Sequence, residues 1–238
     1  MVEVRLLGGV SARDGAGTTL EVGPPTCRLV LAALALSHGE AVPVERLVDQ
    51  VWGEEPPGTA RKILQGYVSQ LRKALGAEAI ATVGTAYRLE RDVEVDVDRF
   101  RTLARDGDVD GALAAWGGTP LAGLEATGMK PAVDGLVERW LDVVEQRLAT
   151  RARTEPATAV GPLTELTAAH PSREGLWAAL MLALARTDRQ ADALAAYRRA
   201  RDHLVGELGI DPGERLRSVE ADILAGRIAS TASTAGSA

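Results

Sequence analysis

Between Ala60 and Leu75 the apolar side chains fall at Leu64, Tyr67, Val68, Leu71 and Leu75, the i, i+3, i+4, i+7 spacing of a helix with one buried side. The opposite side is just as constrained. Arg61, Lys62, Gln65, Ser69, Arg72 and Lys73 gather within an arc of about 120°, flanked by Gly66 and Gln70. No acid occurs between Glu55 and Glu78. Solvated helix faces generally mix signs, because Glu–Lys pairs four residues apart stabilise them. This face instead offers cations for phosphates, amides for base edges and a glycine where a backbone can come close.

The flanking segments say what such a helix sits in. Residues 2–7 alternate apolar and polar, Gly8-Gly9 interrupts, 10–13 follow, Asp14-Gly15 is a turn pair, and 19–22 alternate again, which predicts short strands. Pro24-Pro25-Thr26 opens a helix carrying Leu29, Val30, Ala33, Leu34 and Leu36, and Gly39 stops it. A second helix spans Val44–Trp52, with Leu47, Val48 and Val51 on one face. Residues 53–58 are a loop, and Thr59 is the expected N-cap of the Ala60–Leu75 helix. Ile80–Val83 and 86–90 then make a hairpin around Gly84-Thr85. Strands, three helices and a hairpin predict a winged helix-turn-helix of α+β class over residues 1–91.

Beyond residue 97 the periodicity is helical almost throughout, over 98–105, 109–116, 131–152, 160–170, 173–186, 189–205 and 213–228. Aromatics are only 3% of the chain, so its cores must be built from Leu, Val and Ala, which suits packed helices. Trp177, Leu180, Met181 and Leu184 form one stripe, and Ala193, Tyr197 and Ala200 the next. That small-large-small alternation predicts a tetratricopeptide-like helix pair; an ordinary helical hairpin also needs small residues where its helices cross. The fold class expected is therefore mainly α: a winged helix over 1–91, a linker over the acid-alternating 92–98, an all-α tetratricopeptide-like domain over 99–229, and a disordered Ser/Thr/Ala/Gly tail over 230–238.

The chain's net charge of −6 argues at first against a nucleic-acid partner. It is uneven, however: residues 1–91 hold 10 Lys+Arg and 10 Asp+Glu, whereas 92–238 hold 17 and 23. Binding to a polyanion depends on a local basic surface. The acidic 92–238 half is expected to point away from DNA.

Several classes are disfavoured. No apolar run reaches the roughly 18 residues of a membrane span, and the alternating start is unlike a signal peptide, so a cytoplasmic protein without membrane partners is expected. Cys27 alone cannot form an internal disulfide. His38, His170 and His203 lie far apart with no cysteine at ligand spacing, so neither a metal nor another cofactor is expected. Loop 53–58 lacks the Lys-Ser/Thr of a phosphate-binding loop, and no Gly-x-Ser-x-Gly elbow occurs, so no enzyme is expected. A helical protein-binding scaffold is the alternative.

With these residues in view the chain resembles a known family. Leu64–Gly76, with Trp52-Gly53-Glu54 before it and Ala86-Tyr87-Arg88-Leu89 after, resembles the OmpR-type winged helix. His170-Pro171, Leu176-Trp177, residues 180–185, 188–201 and 207–213 resemble the bacterial transcriptional activation domain. In this order the two resemble the Streptomyces antibiotic regulatory protein family. The resemblance implies a transcription activator, usually of antibiotic biosynthesis, bound as head-to-tail copies on direct repeats and recruiting RNA polymerase, sigma factor included. It makes Ala60–Leu75 the recognition helix, 82–88 the wing, and 53–59 a polymerase-facing loop carrying Glu54 and Glu55. Gln70 stands where such helices often have arginine, and no receiver-domain sequence precedes the winged helix, so aspartate phosphorylation is not the implied switch. The DNA-facing residues expected are Arg61, Lys62, Arg72 and Lys73 on phosphates, Gln65 and Gln70 on base edges, Gly66 and Ser69 between them, and Thr85 and Arg88 from the wing. Tyr87 is expected to anchor the hairpin, and Trp177 and Tyr197 to lie in the helical core.

Overall fold

The computed structural model describes residues 2–229, so the tail expected over 230–238 lies outside the described residues. Two compact units divide at residues 143 and 144.

Unit 1 opens with β1 (Glu3–Arg5), β2 (Ser11–Arg13) and β3 (Thr19–Leu20), a meander in which Val4 faces Ala12 and Ala12 faces Leu20. The helices α1 (Pro25–Leu36), α2 (Val44–Trp52) and α3 (Ala60–Leu75) follow. Pro25 sits in the first turn of α1, where its missing N–H is not needed. Thr59 stands at the N-cap of α3 but makes no side-chain capping bond. The expected hairpin is β5 (Ile80–Val83) and β6 (Ala86–Leu89), paired Ile80 to Leu89 through Val83 to Ala86. Gly84 turns it at φ 58°, a left-handed value that glycine adopts without strain. A two-residue strand unforeseen in the sequence, β4 (Val42–Pro43), pairs with β6 and completes a three-stranded sheet.

Residues 92–98 are not a linker. Val93, Val95 and Val97 are buried, and β7 (Glu94–Val95) runs parallel to β1 as the edge of the first sheet. The alternation that looked like a charged spacer is the inward-outward alternation of a strand. It gives way at Asp96, the first residue of α4 (Asp96–Asp106). The Asp96 carboxylate is buried and accepts the Leu6 N–H (2.9 and 3.0 Å to its two oxygens) and the Leu7 N–H (2.9 Å). Burial pushes its carboxyl above the ordinary value, opposed by the backbone N–H groups it accepts and by Arg5. After α5 (Val109–Ala115), the chain returns to the sheet. Leu121 N–H donates to Leu6 carbonyl (2.9 Å) and Ala122 N–H to Gly8 carbonyl (2.8 Å). Leu121 takes φ 55° to do so. Phe100 meets Trp116 edge-on at 4.9 Å, and Trp116 stacks on Trp140 at 5.5 Å. The first helices of the expected 99–229 domain thus belong to unit 1.

Helix α6 (Lys130–Thr154) carries residues of both units. Unit 2 continues with α7 (Pro156–Ala169), α8 (Glu174–Arg186), α9 (Gln190–Leu208) and α10 (Glu214–Leu224). The helix expected from residue 160 begins at Pro156, a residue suited to a first turn, and accommodates Pro162 inside it. Trp177, Leu180, Met181 and Leu184 on α8 and Ala193, Tyr197 and Ala200 on α9 are buried in one core, as the striped pattern predicts. Trp177 indole N–H donates to Pro171 carbonyl (2.8 Å). No helix among the described residues is long and apolar enough to cross a membrane.

Candidate nucleic-acid interface

The two-sidedness of α3 survives folding. Leu64, Val68, Leu71 and Leu75 are buried, and Lys62, Gln65, Gly66, Ser69, Gln70 and Lys73 are exposed along the opposite side. Around Gly66 nothing lies within 4 Å of where a Cβ would stand, so the backbone there is open to approach. The hairpin tip, Gly84 and Thr85, is exposed as well, while Tyr87 is buried beneath it.

The cations separate into two kinds. Among the described residues Lys62 and Lys73 make no ion pair or side-chain hydrogen bond, but the three arginines do. Arg61 pairs with Glu45 of α2 at 2.7 Å, both side chains more than half exposed. Arg88 pairs with Glu90, its Nη2 at 2.6 Å and Nε at 3.0 Å from one oxygen. Arg72 has no carboxylate partner among the described residues: its Nε donates to Ile80 carbonyl (2.9 Å), its Nη2 to Thr82 Oγ1 (2.8 Å), and its guanidinium lies 5.9 Å from the Tyr87 ring centroid. Of the side chains expected to face DNA, the structure therefore groups Lys62, Gln65, Gly66, Ser69 and Lys73 on one open strip. It ties Arg61 and Arg72 to neighbouring elements and Arg88 to Glu90, just beyond its own strand.

Gln70 sits at the margin. A side chain at Gly23 would come 2.5 Å from the Gln70 amide nitrogen, so the carboxamide lies over Gly23 in the connection between β3 and α1. Gly23 has φ 88°, so both its conformation and this close approach favour glycine. Sequence reading missed these ties. The Arg88–Glu90 pair had a usable signal, since residues two apart on a strand share a face. The reach from Arg72 to Ile80 and Thr82 had none, because it depends on how the hairpin folds back on α3.

Glu54 and Glu55 are exposed. They border a cleft of about 1160 Å³ lined also by Asp49, Trp52, Glu125 and Met129. Among the described residues the Gln50 side-chain oxygen, on a residue lining this cleft, is buried with no hydrogen-bond partner. The surrounding stretch is the acidic part of the protein. Residues 92–143 hold 5 Lys+Arg against 11 Asp+Glu, whereas 144–238 hold 12 of each. The excess expected across the whole of 92–238 is thus confined to the part that folds with the winged helix. Among the described residues no group of three or more His, Cys, Asp or Glu side chains is placed to hold a metal ion.

The comparisons with known proteins agree with this architecture. Residues 18–89 match the family described as transcriptional regulatory protein, C terminal, and residues 88–224 the bacterial transcriptional activator domain. Regulatory protein DnrI of Streptomyces peucetius is 34% identical over 252 residues, covering 94% of this chain and 92% of that protein. Regulatory protein AfsR of Streptomyces coelicolor is 38% identical over 237 residues, but the chain spans only 24% of its length. Among solved structures, Mycobacterium tuberculosis EmbR in complex with a low-affinity phosphopeptide superposes with a TM-score of 0.83 at 33% identity, covering 94% of this chain and 65% of that one. With an OmpR-type winged helix followed by a bacterial transcriptional activator domain, the chain is a transcriptional regulator and belongs to the Streptomyces antibiotic regulatory protein family.

Proposed function

We propose that the chain activates transcription by laying the open strip of α3 into a major groove of promoter DNA, with two copies head to tail on direct repeats. The observation that carries this reading is the acid-free exposed strip itself: Lys62 and Lys73 toward its two ends, with Gln65, Gly66 and Ser69 between. Cations at the ends of a groove-bound helix meet the two phosphate backbones, and the amide and hydroxyl between them meet base edges. The wing tip at Thr85 approaches the backbone beside the groove.

Glu54 and Glu55, with the acid-lined cleft behind them, are turned to RNA polymerase and not to DNA, since carboxylates repel phosphates. A cationic surface of the polymerase or its sigma factor supplies the complementary charge. As in the Streptomyces antibiotic regulatory protein family to which the chain belongs, the genes controlled belong to a pathway of antibiotic biosynthesis.

The test is selection of duplexes from a random library by the full chain, followed by variants. Gln65→Ala should cost on the order of 1–3 kcal/mol on the selected site and much less on random DNA; equal losses on both would refute base readout by Gln65. Inserting about 5 bp between selected repeats turns one copy to the opposite face of the duplex and should abolish cooperative binding. Reversing Glu54 and Glu55 to Lys should leave DNA binding in place and abolish activation in a purified transcription reaction. Activation at the wild-type level by that variant would remove the loop from the polymerase contact.

A further inference from the structure

We propose that Arg72 is a positioning residue that fixes the wing to the recognition helix before DNA arrives, and that Lys62 and Lys73, unlike Arg72, are phosphate ligands of α3. The inference rests on the reading above that α3 and the wing meet DNA.

Arg72 lies one position before Lys73, and on a helical wheel the two share the polar arc. The structure gives them opposite employments. Lys73 is exposed and unengaged among the described residues, whereas Arg72 is half-buried and turned toward the hairpin. Its two donors engage β5 at Ile80 and Thr82, alternate residues of that strand, and its planar face lies by Tyr87, which pairs with Thr82 across to β6. One side chain thus holds both strands of the wing. The chemistry needs arginine: a rigid fork presents two donors in fixed directions and a flat face to an aromatic ring together. A lysine has the charge but neither the fork nor the plane.

The part-buried bond from Arg72 Nε to Ile80 carbonyl separates this tie from that of Arg61. The Arg61–Glu45 pair is open to water, and Arg61 can exchange its carboxylate for a phosphate at little cost. Withdrawing Arg72 would strip Ile80 carbonyl and Thr82 hydroxyl of a donor and uncover Tyr87, so the wing would lose its seat. A wing seated in advance lowers the ordering cost of binding, which is how preorganisation raises affinity without a new contact.

The experiment compares Arg72→Lys, Thr82→Val and Lys73→Ala with the wild type in the full chain, after circular dichroism has shown each variant folded. In free protein, amide hydrogen exchange over residues 80–89 should accelerate several-fold in Arg72→Lys and Thr82→Val and stay unchanged in Lys73→Ala. On a selected duplex, Lys73→Ala should flatten the slope of log Kobs against log salt by about 0.9, one phosphate's worth, with the hydroxyl-radical footprint under the wing intact. Arg72→Lys and Thr82→Val should keep the slope and lose that part of the footprint. Unchanged wing exchange in both hairpin-side variants overturns the proposal. So does Arg72→Lys with a wild-type footprint beside an Arg72→Ala that drops the slope by about 0.9, the signature of a plain phosphate ligand. A wild-type chain that binds no duplex refutes the DNA reading, and the exchange measurement still decides the role of Arg72.

Discussion

Unit 1 is held together across long stretches of chain, and unit 2 by helices that pack on their near neighbours. In unit 1 the carboxylate of Asp96 receives the N–H groups of Leu6 and Leu7, 90 and 89 residues away, and residues 121–122 close over the strand that Asp96 caps. In unit 2, α8 packs on α7, α9 and α10, and Ala193, Ala196 and Ala200 of α9 are fully buried in the shared core. The charges differ too, since the acidic excess falls in unit 1 and unit 2 is balanced. The difference teaches that unit 1 adds long-range polar ties at single positions to its apolar core, while unit 2 rests on volume spread over a continuous apolar seam.

The largest effect expected from a single change is in the seam. Trp177→Ala removes a buried indole together with its bond to Pro171, and should cost about 3–5 kcal/mol. Hydrogen exchange should then show lost protection within 144–229. Equal loss over residues 2–143 would break the comparison.

Asp96→Ala tests the polar tie. It leaves two buried N–H donors without their acceptor, and a loss of about 2–4 kcal/mol in chemical denaturation is expected. Asp96→Asn, which keeps one oxygen for both donors, should recover much of it. The pH dependence sharpens the point. Because burial raises the carboxyl of Asp96, the folded state holds its proton more tightly than the unfolded state does. Its contribution to stability is therefore full in acid and shrinks as pH rises from 3.8 through the raised folded value. The Asn variant should lack that component of the slope. An identical pH profile for Asn and wild type would mean that Asp96 does not titrate across that interval.

Cys27 is a milder probe of unit 1. Buried in α1 with its Sγ 3.8 Å from Tyr67 carbonyl, its thiol is pushed up to about 11. Alkylation of native protein at neutral pH should be far slower than in denaturant, and Cys27→Ser should cost about 1–3 kcal/mol by burying a hydroxyl. Rapid native labelling would show that α1 opens locally.

The smallest effect expected is at the surface. Removing Arg61 or Glu45 should change stability by about 0.2–1 kcal/mol, within the usual worth of an exposed pair. A larger loss would make the α2–α3 pair a structural tie of the same rank as Asp96.

The same contrast governs what could be read from the residues alone. The bounds of α2 and α3 and the stripes of α8 and α9 were legible because helical period is a local signal, repeated over several turns. Strands of two residues, β4 and β7, carry no period to detect. The segment 92–98 was misread for a physical reason: alternating acids on a sheet edge have the same composition as a charged spacer, and only the burial of Val93, Val95 and Val97 tells them apart. On α3 the wheel shows which residues share a face but not which of them are already engaged. Lys62, Gln65 and Lys73 stand open as the wheel implies, while Arg61, Arg72 and Arg88 are claimed by Glu45, the hairpin and Glu90.

The placement of the acidic excess has a kinetic consequence. A body with carboxylates concentrated in one stretch and an acid-free cationic strip on one helix is an electric dipole as well as an anion. A polyanion attracts the strip on α3 and repels the acid-rich residues 92–143, so on the reading proposed above its approach exerts a torque before any contact forms. The range of that torque is set by the Debye length, about 30 Å at 0.01 M salt and 8 Å at 0.15 M. Lowering the salt therefore raises the fraction of collisions that begin in register, over and above the gain in strength of each phosphate contact.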